Sequence, residues 1–122
     1  MKLCLVVDDS QVVRKVAKCL LNNLGYDVRV AENGQEALEI CQNKMPDIIL
    51  LDWHMPIMDG HEFLALFGRT FGSSQAHIVY ATTDLDPTDI SKAISAGAND
   101  YILKPYDEAS FDAKFGQLPA VA

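Results

Sequence analysis

Three carboxylates, a hydroxyl and an ammonium stand at the ends of short apolar runs in this chain. Leu3 to Val7 leads into Asp8-Asp9, Ile48 to Leu51 into Asp52, Ile78 to Ala81 into Thr82, and Tyr101 to Leu103 into Lys104-Pro105. Carboxylates gathered in a small volume repel one another unless a cation neutralises them. A hard divalent ion such as Mg²⁺ suits oxygen donors of this kind, commonly with one or two carboxylates, several waters and phosphate oxygens. A carboxylate held beside such an ion can attack a phosphoryl group and become an aspartyl phosphate. A hydroxyl and an ammonium around the same phosphorus would bond or neutralise its oxygens. Each residue also has a plainer reading: Asp8 and Asp9 as caps of the next helix, Asp52 as a turn residue, Thr82 as a strand end, Lys104 as a surface lysine. Asp52, however, follows four apolar residues and precedes Trp53, a poor setting for a solvated turn, which makes it the candidate nucleophile. Side chains of adjacent residues diverge in an extended segment, so only one of Asp8 and Asp9 is expected to aim squarely at a given point.

The elements that must position these groups alternate. The apolar runs are β-prone and too short for helices, and read as buried strands; Asp27 to Val30 adds a fifth. Between them, Gln11 to Leu24 places Val12, Val13, Val16, Ala17, Leu20 and Leu24 at helical spacing, and Gly25 ends that helix. Asn33 can cap a helix from Gly34 to Asn43, with Glu36 completing a capping box. Gly60 to Phe71 reads as a helix weakened, and expected to be irregular, at Gly68, with Gly72-Ser73-Ser74 closing it. Asp86-Pro87 starts a fourth helix that stops at Gly97. A short fifth, from about Glu108 to Gly116, carries Phe111 and Phe115 on one face, before Gln117-Leu118-Pro119. Strands alternating with helices through short loops imply an α/β fold, a five-stranded parallel sheet with helices on both faces. In such sheets ligands bind at the carboxyl ends of the strands, where the acids fall.

At 122 residues the chain is expected to form one domain, large enough to bury roughly two thirds of its unfolded surface. Its net charge of −7, with basic residues scattered along the sequence, argues against nucleic acid or an anionic membrane as partner. No apolar run approaches the ~20 residues of a membrane span. Cys4, Cys19 and Cys41, set among apolar neighbours, read as reduced core thiols. His54, His61 and His77 lack metal-ligand spacing. Nucleotide-binding glycine motifs are absent.

With these residues in this order, the chain resembles the receiver domain of two-component response regulators, from Lys2 to about Phe115. The likeness rests on Val7-Asp8-Asp9-Ser10, on Asp52 followed by Met55-Pro56 and Met58-Asp59-Gly60, on Thr82, and on Gly97-Ala98-Asn99-Asp100-Tyr101 leading to Lys104-Pro105. It implies a flavodoxin-like (βα)5 fold and a Mg²⁺-dependent transfer of phosphate to Asp52 from a histidine kinase or a histidine phosphotransfer protein. It implies that Asp9, Asp52 and the backbone carbonyl of His54 hold the Mg²⁺, with Asp8 acting through water. Thr82 and Lys104 would hold the phosphoryl group, Tyr101 would swing inward as Thr82 moves, and the Lys104–Pro105 bond would be cis. His54 and Asp84, each two positions beyond a site residue, would tune the lifetime of the phosphoryl group. The face from about Pro87 to Gly116 would be the output surface. The resulting expectation is a stand-alone response regulator over residues 1–122, chemotaxis-regulator-like, cytoplasmic, monomeric and acting on a protein target rather than as a turnover enzyme. The alternative is a Mg²⁺-dependent phosphohydrolase, disfavoured because position 54 supplies no second acid. A flavodoxin-type ligand module shares the architecture, but the acidic, glycine-free loop Asp8-Asp9-Ser10-Gln11 is hostile to a ligand phosphate.

Overall fold

The computed structural model describes residues 2–55, 57–72, 76–83 and 86–116. Pro56 of the family resemblance, the helix-closing Ser73 and Ser74, Asp84, and the tail Gln117-Leu118-Pro119 lie outside the described residues. Five strands, β1 (Leu3–Val7), β2 (Asp27–Ala31), β3 (Ile48–Asp52), β4 (His77–Thr82) and β5 (Asp100–Leu103), alternate with α1 (Gln11–Asn23), α2 (Gly34–Asn43), α3 (Gly60–Phe71), α4 (Pro87–Ala96) and α5 (Glu108–Phe111). All pairings are parallel, in the order β2-β1-β3-β4-β5. The expected α/β architecture is therefore present. The order reverses at β1, so a crevice opens beyond the ends of β1 and β3, where the chain supplies Asp8, Asp9 and Asp52.

Strand alternation divides the core. Leu5, Val7, Ile49, Leu51 and Tyr80 face α2, α3 and α4, packing with Ala37, Phe63, Phe67 and Ala93. Cys4, Val6, Ile48, Leu50 and Val79 face α1 and α5, packing with Ala17, Leu21, Phe111 and Phe115. Every helix begins on a polar cap: the side chains of Ser10, Asn33, Asp59, Asp86 and Asp107 accept the N–H groups of Val13, Glu36, Glu62, Thr88 and Ser110. The reciprocal capping box forms at Asp107 and Ser110.

Four expectations are corrected. Cys4 and Cys41 are buried, but Cys19 is exposed, as are Val12 and Val16. The buried stripe of α1 runs through Ala17 and Leu21, one helical turn apart, and the 3.6-residue period turns positions 12, 16 and 19 outward. The helix over Gly60–Phe71 is continuous, because Gly68 has nothing within 4 Å of a side-chain position and its carbonyl accepts the Gly72 N–H at 3.0 Å. The last helix makes one α-turn and then widens into a π-helical turn over Asp112–Gly116. Phe111 and Phe115 remain buried together, and Tyr26 Oη donates to the Phe115 carbonyl at 2.7 Å. Finally, the cations scattered in sequence do assemble: Arg14, Lys15 and Lys18 line a groove beside Val30, and Arg29 and Lys44 line another on the flank of the β2 edge. No helix among the described residues is long and apolar enough to cross a membrane.

Candidate phosphoryl-acceptor site

Asp52 ends β3, in register with Ala81 of β4, and is 4% exposed. Asp8 follows β1, where its N–H bonds the Ala31 carbonyl at 3.0 Å, and is 2% exposed. Asp9 is exposed. One carboxylate oxygen from each of the three lies within 4.8 Å of the others. Asp8 and Asp9 therefore converge, contrary to the divergence expected of an extended segment. The chain has already left the sheet here to turn into α1, so strand alternation no longer governs their side chains. The plainer reading of this pair as helix caps is also excluded, because Ser10 performs that role.

Lys104 closes the pocket from β5. Its Nζ lies 2.8 Å from Asp8 Oδ2 and 3.0 Å from Asp52 Oδ1, bridging the two buried acids. The lysine is positioned by its own backbone, whose N–H donates to the Thr82 carbonyl at 2.9 Å, and the following bond to Pro105 is cis. Thr82, at the end of β4, is buried. Further restraints hold the acids: Asp8 Oδ1 accepts the Ser10 N–H at 2.9 Å, the Asp8 carbonyl accepts Arg14 Nη1 at 2.7 Å, and Asp52 Oδ1 accepts the His54 N–H at 3.3 Å. Arg14 carried no signal in the sequence. It reaches back one turn and more to fix the loop that carries Asp8.

Burial raises the pKa of Asp52 above its ordinary value; hydrogen bonding and charge attraction from Lys104 oppose the rise, and Asp8 adds to it. For Lys104, burial pulls the pKa down, but the hydrogen bonds it donates to Asp8 and Asp52, with their negative charge, outweigh it and the net direction is up. The ammonium thus stays charged between two carboxylates. The donor set fits a hard divalent cation: three carboxylates from two strand ends, all oxygen, with no nitrogen or sulfur donor among them.

Beneath the site, Trp53 packs edge-on to Tyr80 at 5.2 Å and to His61 at 6.1 Å. Gly60 follows from that packing. A Cβ there would meet Trp53 Cε3 at 2.7 Å and the backbone of Trp53 and Asp52 at 3.0 and 3.2 Å. The two buried thiols take no part, since burial pushes Cys4 upward and Cys41 up to about 11, leaving both protonated and inert.

The sequence profile described as the response regulator receiver domain matches residues 4–115. The chain belongs to the response regulator receiver family. This receiver domain is 38% identical over 104 residues to the chemotaxis protein CheY1 of Helicobacter pylori, covering 84% of each. It is 33% identical over 110 residues to the probable transcriptional regulator ycf27 of Guillardia theta, covering 90% of this chain and 42% of that protein. The chain thus spans less than half the length of the ycf27 relatives. The structure of the chemotaxis response regulator CheY4 of Vibrio cholerae matches the receiver with a TM-score of 0.89 at 29% identity, over 96% of this chain and 98% of that one. Nothing in the geometry favours the hydrolase alternative: the residue two positions beyond Asp52 is a histidine with an exposed side chain, not a second acid.

Proposed function

We propose that the receiver domain takes a phosphoryl group onto Asp52 from the phosphohistidine of a histidine kinase or a histidine phosphotransfer protein. An Asp52 oxygen attacks phosphorus, the P–N bond breaks, and the imidazole leaves with the electron pair and is reprotonated. Asp9, Asp52 and the backbone carbonyl of His54 would hold Mg²⁺, with Asp8 acting through water; when bound, the ion supplies positive charge to the phosphoryl oxygens. Lys104 neutralises a further phosphoryl oxygen, and Thr82 donates its hydroxyl to another. The single observation that carries this reading is the Lys104 bridge. A fixed ammonium already touches Asp52 at the position where phosphoryl charge would arrive.

Phosphorylation adds about −1.5 to −2 of charge at the strand ends. Lys104 and Thr82 would turn to meet it, Tyr101 would move inward as Thr82 shifts, and the population of the face formed by α4, β5 and α5 would follow. The domain acts as a phosphoacceptor that signals through protein contacts rather than as a turnover enzyme. Incubation with acetyl phosphate and Mg²⁺, read by intact mass, should add one phosphoryl group of about 80 Da. Asp52→Asn and metal-free samples should gain nothing. Equal labelling of Asp52→Asn would place the acceptor elsewhere, and no labelling without release of phosphate would sink the mechanism.

A further inference from the structure

The two edges of the sheet are finished differently. At the β5 edge, Lys114 is tied to the strand: its Nζ lies 3.0 Å from Asp100 Oδ1 and 4.6 Å over the Tyr101 ring. β2 forms the other edge, pairs with β1 alone, and leaves Asp27, Arg29 and Val30 exposed. Two bonds fix which way its backbone points. The Asp27 N–H donates to the Lys2 carbonyl at 2.8 Å, and the Ala31 carbonyl accepts the Asp8 N–H at 3.0 Å. Positions 27, 29 and 31 therefore turn their polar backbone groups toward β1, and Val28 and Val30 turn theirs outward, each with one donor and one acceptor. Beyond the β1 ladder, no backbone group among the described residues bonds to them. The side chains around this edge are positive on both faces. Arg29 and Lys44 line the groove on the α2 side, and Lys15 and Lys18 line the groove beside Val30 on the α1 side. Arg14 also lines the second groove but is committed to the Asp8 carbonyl. The other four cations are exposed, and none of them forms an ion pair among the described residues. No acidic residue lines either groove. Asp27 and Glu32 stand at the two ends of the strand and bound the positive stretch.

We propose that the β2 edge receives an extended acidic segment of another protein as an added strand. The outward groups of Val28 and Val30 supply its main-chain hydrogen bonds. Side chains of an added strand alternate between the faces of the sheet, so its carboxylates meet Lys15 and Lys18 on one side and Arg29 and Lys44 on the other. Val30, 39% exposed, offers an apolar contact between the charges. Charge decides the occupant. The chain as a whole is at −7 and repels acidic partners elsewhere, whereas this edge gathers cations that its own acids leave unpaired. A second copy of this chain is disfavoured, because two β2 edges laid together bring the same cations face to face. This docking does not depend on the reading of Asp52 as phosphoacceptor.

The test is fluorescence anisotropy of a labelled short peptide, a valine pair flanked by glutamate pairs, titrated with the whole chain. The peptide should bind, less tightly as salt rises, and its lysine-for-glutamate counterpart should not. In the complex, hydrogen exchange at the Val28 and Val30 amides should slow. Reversing one charge on each face, Lys15→Glu with Arg29→Glu, should weaken binding about tenfold. Val30→Pro tests the strand itself. The N–H it deletes points outward, so the β1 ladder keeps its bonds while the edge loses a donor, and binding should fall roughly tenfold. A glutamate–valine peptide N-methylated at every amide asks the same question of the unaltered protein, since it keeps its charges and loses its donors; it should not bind. Equal binding of the methylated and unmethylated peptides would overturn the proposal, because the cations would then hold the peptide without strand addition. Absence of binding at millimolar peptide would overturn it outright. Self-association of the chain that Val30→Pro abolishes would assign the edge to a second copy, and displacement by a short single-stranded DNA as readily as by unlabelled peptide would assign the cations to nucleic acid.

Discussion

Burial pushes the carboxyl of Asp52 above its ordinary value of 3.8, Lys104 opposes the rise, and Asp8 reinforces it. A raised folded pKa on an acid means that the folded protein carries the charge at a cost. The cost is present in full above the folded pKa and is relieved as pH falls through it toward the unfolded value. Asp52→Asn should therefore be more stable than the parent at pH 7 to 8, on the order of 1 kcal/mol. The advantage should shrink as the solution is acidified into the carboxylate range. Urea titrations of both proteins across pH would show it, and a constant difference at every pH would contradict it. His77 has the opposite sign. Burial lowers its pKa from 6.5, against a raising influence from Asp100, and its Nε2 is buried without a hydrogen-bond partner among the described residues. As pH falls through 6.5 the unfolded chain takes up the proton first, so the parent loses stability from about pH 7.5 downward. His77→Gln should flatten that decline. Parallel urea midpoints for parent and variant over this window would show that the imidazole titrates alike in both states.

Three glycines show how the elements are seated, each with a different consequence. A Cβ at Gly60 meets backbone atoms of Trp53 and Asp52, which cannot move without displacing the acceptor. Gly60→Ala should cost about 1–3 kcal/mol by overpacking and impair labelling of Asp52. At Gly34 the obstruction is the Met58 side chain, with Sδ at 2.8 Å, and a flexible thioether gives way, so Gly34→Ala should cost less. Gly68 is open on all sides within α3, and Gly68→Ala should stabilise by about 0.5–1 kcal/mol through helix propensity. Denaturant midpoints that failed to order as Gly68→Ala, Gly34→Ala, Gly60→Ala from most to least stable would refute this seating. At this scale the strands were legible because a short β-prone apolar run that stops at a polar residue fits little besides a buried strand. The observed bounds extend the runs by a residue or two onto Asp52, His77, Thr82 and Asp100. The outward face of α1 was not legible. Val12 and Val16 fit helical spacing as well as Val13 and Ala17 do, and hydrophobicity does not fix the phase; the packing of Ala17 and Leu21 against the sheet does.

Across the whole molecule, the candidate acids, threonine and lysine could be read from the chain, but their pairings could not. Lys104 and Asp8 are 96 positions apart. With β3 and β4 standing between β1 and β5, it is the long lysine side chain, carried just after β5, that reaches the acids at the ends of β1 and β3. That long closure makes the pocket a tertiary clamp across the ends of β1, β3 and β5, so whatever neutralises it should stabilise the entire domain. Lys104 supplies one positive charge to two buried carboxylates, and exposed Asp9 leaves the cluster net negative on a chain already at −7. A divalent cation that binds the folded cluster and not the dispersed unfolded acids adds RT ln(1 + [L]/Kd), roughly 1.4 kcal/mol at ten times Kd. Millimolar Mg²⁺ should therefore raise Tm, and Asp9→Asn should weaken the effect. Lys104→Ala gives the sharper contrast. Without ion it removes the only ammonium that bridges the acids among the described residues and should melt well below the parent, because two buried carboxylates lose their partner. With ion it should recover more of its loss than the parent gains, since the vacated charge must come from the cation. If Mg²⁺ raises Tm equally in the parent and in Lys104→Ala, the lysine and the ion do not share the same acids, and the pocket is not the clamp described.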